Sequence, residues 1–205
     1  MSKGTTRLPQ RLCVATRNRH KTQEIAAILG EDWEVRDLTA CADIPEIEET
    51  GATFAENATI KALAVSTRVN DWVLADDSGL EVDALDGAPG VRSARYAGEQ
   101  ADDAANRAKL LQALKAVGAR GKTRSARFRC ALVLAHGENV MICVEGKVEG
   151  MLIPQERGAG GFGYDPLFIP EGYCETFAQL AAGVKNQISH RARALQALLL
   201  AIEAL

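Results

Sequence analysis

What this 205-residue chain lacks narrows what it does. Its five cysteines (Cys13, Cys41, Cys130, Cys143 and Cys174) include no C-x-x-C pair, so they read as reduced, core-type thiols of a cytoplasmic protein. No apolar run approaches the roughly 20 residues that span a bilayer. The opening MSKGTTRLPQ has no apolar segment of the kind an export signal needs. Positive charge is not in excess: the formal net charge is -3, which leaves no electrostatic footprint for nucleic acid or an anionic membrane. Internal repeats and low-complexity linkers are also missing. One domain over residues 1–205 is therefore expected, with residues 1–10 as a flexible N-terminal extension.

What remains is the composition of a globular protein, 47% hydrophobic and 25% charged. RLCVAT (11–16) reads as a first strand and KTQEIAAIL as a helix with Ile25, Ile28 and Leu29 on one face and Gly30 as its stop. WEVRDL (33–38) alternates like a strand. Thr53 and Glu56 have capping-box spacing and predict a helix through FAENATIKALAVSTRV. Trp72 to Ala75 reads as a short buried strand, and a further helix spans about Asp102 to Val117, with Leu110, Leu111, Leu114 and Val117 on its apolar side. ARFRCALVLA and NVMICVEGKVEG form a hairpin pattern around the turn HGE. The chain closes in a helix, SHRARALQALLLAIEAL, capped by Ser189. Strands alternate with helices early and a hairpin comes late, which predicts an α/β fold with a mixed sheet.

Four groups of residues have chemistry to offer. TRNRHK (Thr16, Arg17, Asn18, Arg19, His20, Lys21) joins the first strand to the first helix. It lacks the glycines of a Walker A loop; it is either a phosphate seat at a helix N-terminus or an Asn-capped helix start with solvated basic residues. Glu46, Glu48 and Glu49 share one acidic loop, and Asp76 and Asp77 stand where the Trp72–Ala75 strand is expected to end. Two adjacent carboxylates there call for a cation, and Mg2+ takes one or two carboxylates plus substrate phosphates; Glu46 reads as merely solvated. Lys21, Lys61, Lys185 and Arg191 are scattered cations. His190 and Arg191 fall in the first turn of the last helix, against the macrodipole, which points to a ligand. Finally, GGFGYDP (160–166) sets two aromatics among glycines, as a base-stacking loop or as a turn pinned by Phe162.

Five stretches, ATRNRHK, EETGATFAENATIKA, ADDSGLEVDALDGAPGVRSARYAG, GGFGYDPLF and ISHRARAL, together resemble the inosine triphosphate pyrophosphatase family, in the family's order and over nearly the whole chain. The resemblance implies a homodimer with a mixed, elongated central sheet flanked by helices and an active-site cleft between two lobes. It implies Mg2+-dependent hydrolysis of ITP, dITP and XTP to the monophosphate and pyrophosphate. Asp77 matches the catalytic carboxylate and metal ligand, and Glu48 the second metal carboxylate. Thr16, Arg17, Asn18, Arg19, His20, Lys21, Lys61, Ser78 and Lys185 fall on nucleotide-contacting positions. Phe162, Gly163, Tyr164, Asp165, His190 and Arg191 fall on base-recognising ones. The hydrogen-bond donors of His190 and Arg191 would then favour a 6-keto purine over adenine. Arg17 and His20 stand where the family usually has glycine, and Val184 where it often has an acid. A pyrimidine-directed relative and a nucleotide sensor without turnover are the rival readings; the presence of both Asp77 and Glu48 speaks against the sensor.

Overall fold

The computed structural model describes residues 11–41, 43–69 and 71–204, so the expected N-terminal extension lies outside the described residues. The chain groups into two compact units. The first comprises Met1–Asp77, Ala131–Gly146 and Arg191–Leu205, and the second Ser78–Cys130 and Lys147–His190.

In the first unit, β1 (Arg11–Val14) pairs in parallel with β2 (Glu34–Asp37), Leu12 opposite Val35. It also pairs in parallel with the start of β3 (Trp72–Val82), Val14 opposite Leu74. Parallel neighbours need crossover connections, and α1 (Arg19–Leu29) and α2 (Phe54–Val69) supply them. Asn18 caps α1 by accepting from the His20 and Lys21 amides, and Gly30 ends it at φ +82°. The anticipated capping box opens α2: the Glu56 amide donates to Thr53 Oγ1, and the Thr53 amide to Glu56 Oε2. Ile25, Ala58, Ala62, Val65, Val73, Leu74, Leu195 and Leu198 are almost completely buried in this unit, the last two from α5 (His190–Glu203).

The second unit is built on α3 (Asp103–Ala116), α4 (Ala182–Ile188) and β6 (Phe168–Pro170), with the adjoining parts of β3, β4 (Ser125–His136) and β5 (Asn139–Leu152). Its core joins Leu80, Val82, Leu110 and Leu114 to an aromatic group of Phe128, Phe168 and Phe177. Phe128 meets Phe168 edge-on at 4.8 Å, an arrangement worth about 0.5–1.5 kcal/mol beyond the area it buries. The strand order is β2-β1-β3-β4-β5-β6. Since β5 and β6 run antiparallel, the sheet is mixed, as expected. Among the described residues no helix is long and apolar enough to cross a membrane.

Several local expectations need correction. The strand expected to stop at Ala75 continues through Asp76 and Asp77 to Val82; the cations described below remove the electrostatic reason for it to end. Val117 is not on the apolar face of α3 but 56% exposed, at the helix C-cap. A short helix, α4, was not expected before Ser189; it ends there, the Ser189 amide donating to the Lys185 carbonyl, while α5 starts at the next residue, so Ser189 does stand at the entry of the last helix. β1 and β2 are shorter than their hydrophobic patterns: the Thr16 amide donates back to the Val14 carbonyl, and Leu38 opens a short helical turn capped by the Asp37 side chain.

Candidate active site

Successive side chains of a strand point to opposite faces, and this separates the two aspartates. Asp76 is 1% exposed. Its carboxylate accepts from Lys21 Nζ at 2.6 Å and Arg191 Nε at 2.8 Å, and Arg191 also pairs with Glu24. Burial pushes the Asp76 carboxyl up, but Arg191 and Lys21 outweigh it and hold the group well below the usual aspartate range. Asp77 instead meets α2: Lys61 Nζ lies 3.2 Å from Oδ1, and Asn57 Nδ2 donates to Oδ2 at 3.2 Å. Burial raises the Asp77 pKa, and Lys61 and Lys21 offset that only in part. Lys61 is shared, since its ammonium also donates to Glu49 Oε1 at 2.6 Å and to the Asp76 carbonyl at 2.8 Å. Burial pulls the Lys61 pKa down, yet Asp77 and Glu49 hold it above the usual lysine value. One aspartate is thus fixed as a charge, while its neighbour is a buried carboxylate with a raised proton affinity.

The orientation of Asp77 is built from the loop before α2. The Gly51 amide donates to Asn57 Oδ1 at 2.7 Å, leaving the Asn57 amine directed at Asp77. A Cβ at Gly51 would lie 2.7 Å from that same oxygen, so only glycine allows the approach. Asn57 and Glu24 were not among the expected site residues, and Glu49 was named only with the acidic loop. Asn57 was within reach, because it stands four residues before Lys61 and therefore on the same helical face.

The turn expected either to seat phosphate or to cap a helix has the geometry of a capped helix start. Asn18 is the cap, the Asn18 amide donates to Thr16 Oγ1, and Arg19 and His20 are exposed. Lys21 reaches Asp76. Arg17 donates to the Leu38 and Ile44 carbonyls, tying the turn to the segment that follows β2. Glu48 is exposed, whereas Glu49 turns to Lys61. Among the described residues no group of three or more His, Cys, Asp or Glu side chains is arranged to hold a metal ion. The carboxylates of Asp77 on β3 and Glu49 on the preceding loop nonetheless face each other across the Lys61 ammonium, and both are oxygen ligands. That all-oxygen chemistry fits Mg2+, which keeps few protein ligands and fills its shell with water and phosphate.

In the second unit the loop around Phe162 is held from several sides. Asp165 Oδ2 accepts from the Phe162 amide at 2.9 Å and from Lys185 Nζ at 2.5 Å. A Cβ at Gly161 (φ +70°) would lie 2.0 Å from that carboxylate oxygen. Asp103 accepts from the Gly163 amide at 2.7 Å, and Arg107 donates to the Gly163 carbonyl at 2.9 Å. Phe162 is half-buried, with Lys185 Nζ 5.0 Å from its ring centroid. Tyr164, expected as a possible stacking ring, is 3% exposed, and its hydroxyl donates to the Ser93 carbonyl; it is a core residue. His190 stacks on Phe128 at 4.9 Å and 13°. Ser78 is half-buried in β3.

Arg191 also departs from expectation. It is 0% exposed, and Nε, Nη1 and Nη2 all face carboxylates. A cation in the first turn of a helix opposes the macrodipole, and here the compensating partners are Asp76 and Glu24 rather than a purine carbonyl.

A model of the Ham1 family matches residues 12–201. The chain is 50% identical over 186 residues to a dITP/XTP pyrophosphatase of Bacillus licheniformis, an alignment covering 90% of this chain and 94% of that one. Among solved structures it is similar to a HAM1 protein from Coxiella burnetii (TM-score 0.84, 39% identity, 95% of this chain and 99% of that one). It is also similar to a nucleoside-triphosphatase / dITP/XTP pyrophosphatase from Mycobacterium abscessus (TM-score 0.74, 42% identity, 92% and 98%). With likeness of sequence and of fold running nearly end to end, the chain belongs to the Ham1 family.

Proposed function

We propose that the protein hydrolyses deaminated purine nucleoside triphosphates (ITP, dITP and XTP) to the monophosphate and pyrophosphate, with Mg2+, cleansing the nucleotide pool. The observation that carries this reading is Asp77: buried, aimed by Asn57, beside Lys61, and raised in pKa. A carboxylate whose proton affinity is brought nearer neutrality is a better general base. Asp77 orients a water and takes its proton as the water oxygen bonds to phosphorus and the α–β anhydride P–O bond breaks. Lys21 and Lys61, with Thr16, Asn18 and the amides of the capped turn, neutralise the triphosphate. Asp77 with Glu48 would hold Mg2+, which supplies Lewis-acid neutralisation of the phosphate oxygens when bound. In the second unit, Phe162 offers a ring for the base, and Lys185 and His190 offer donors to a C6 carbonyl. Adenine presents an amine there, so ATP would leave those donors unmatched, a cost of roughly 1.5–3 kcal/mol each.

The protein is read as a cytoplasmic homodimer. Its five cysteines are all free, in keeping with a reducing compartment, and sedimentation at twice the chain mass would support the dimer. The decisive experiment is a panel of ITP, dITP, XTP, ATP, GTP and dUTP with Mg2+, scoring pyrophosphate against orthophosphate. Pyrophosphate release from the 6-keto purines, lost in EDTA and restored by Mg2+, is the expected result. Orthophosphate release, or preference for dUTP, would overturn the assignment.

A further inference from the structure

The stretch from Lys115 to Arg124 carries four cations (Lys115, Arg120, Lys122 and Arg124) and no acid, in a chain whose net charge is negative. Three of the four line one concavity of about 480 Å³ in the second unit: Lys115, Arg120 and Arg124, with Leu111, Ala119 and Pro154 among their neighbours. None of its lining residues is an aspartate or glutamate.

Arg124 is the telling member. Among the described residues four cations are buried: Lys61, Arg124, Lys185 and Arg191. Lys61 is paired with Glu49 and Asp77, Lys185 with Asp165, and Arg191 with Asp76 and Glu24. Arg124, 8% exposed, makes no ion pair with a carboxylate among the described residues. Its Nε donates to the Leu152 carbonyl at 2.7 Å and its Nη2 to the Ile153 carbonyl at 3.0 Å; Nη1 donates to neither. Two neutral dipoles explain why the side chain lies where it does, at the end of β5. They do not neutralise a buried unit charge, which proteins as a rule pair, and burial accordingly holds this guanidinium below its usual pKa. The end of α3 contributes about half a negative charge through its macrodipole, too little to balance three cations.

We propose that this concavity is a binding site for a phosphoryl oxyanion, gripped by Arg124 from within and by Lys115 and Arg120 at the rim. Guanidinium forks suit such oxygens. Free pyrophosphate and the phosphate of a nucleotide share this chemistry.

The test titrates pyrophosphate, and in a second arm inosine monophosphate, into 15N-labelled full-length protein in EDTA at fixed ionic strength. It is read at the amides of Gly118, Ala119 and Gly121 and at Arg124 Nε–H. Saturable shifts there are expected with pyrophosphate; shifts with the monophosphate as well extend the site to nucleotides. The exposed double variant K115S/R120S should weaken binding at these groups by about tenfold, with ITP hydrolysis kept within about twofold. The proposal fails if no saturable shift appears at these groups, if the double variant binds equally well, or if chloride reproduces the shifts. None of those outcomes touches the hydrolysis of ITP, so the two readings stand or fall separately.

Discussion

Neighbouring aspartates with opposite pKa shifts should behave oppositely when neutralised. Asp77→Asn keeps the shape of the side chain but removes the base and a phosphate-side charge, so kcat for ITP should fall at least about 10²-fold. Because burial already disfavours the ionised Asp77, the Tm of that variant should stay at or above wild type; near-normal kcat would remove Asp77 from the mechanism. Asp76 is held well below its ordinary value of 3.8 by Arg191 and Lys21. Its contribution to stability is therefore complete above that value and lost as pH falls beneath it. In EDTA, wild-type Tm should drop below about pH 4, and Asp76→Asn should flatten that drop while lowering Tm at neutral pH. Arg191→Ala takes from Asp76 the guanidinium that does most to hold its pKa down, and breaking a buried pair costs about 3–5 kcal/mol. The rates with ITP and ATP should then fall together. A loss confined to ITP would restore Arg191 as a reader of the base.

At the scale of elements, α3 acts on the Phe162 loop through two contacts to the backbone of one residue: Asp103 accepts from the Gly163 amide and Arg107 donates to the Gly163 carbonyl. Arg107→Ala should raise KM for ITP several-fold, since a lost hydrogen bond to a charged group is worth about 1.5–3 kcal/mol, with little change in kcat; equal changes in both would argue for a merely structural contact. Much of this architecture was legible beforehand. The Thr53–Glu56 box, the Asn18 cap and the Gly30 stop are local signals, and the structure keeps them. β3 was misread because adjacent acids look like a strand end, and the cation that lets the strand continue through Asp76 lies 115 residues away in Arg191. The short α4 escaped because its cap, Ala181, makes no side-chain hydrogen bond. Tyr164 read as a loop aromatic for want of any local sign that its hydroxyl reaches Ser93.

Over the whole molecule, both units are assembled from interrupted segments, and α5 belongs to the first. A chain stopped at Ser189 would lose Arg191, Ala194, Leu195 and Leu198, all at most 1% exposed. Each leucine alone stabilises by about 1.5–3 kcal/mol, against a typical total of 5–15. Such a chain should be insoluble or bind ANS strongly; a soluble truncation with a sharp melting transition would contradict this packing. The same interleaving has a temporal side. At about 5–20 residues per second of synthesis, the 115 residues between Asp76 and Arg191 take on the order of 6–20 s to make. Throughout that interval the nascent Asp76 lacks the Arg191 guanidinium that faces it in the folded protein. Closure around Asp76 therefore waits on Arg191, and a chain that stops before that residue should be degraded faster in a pulse-chase than one that includes it.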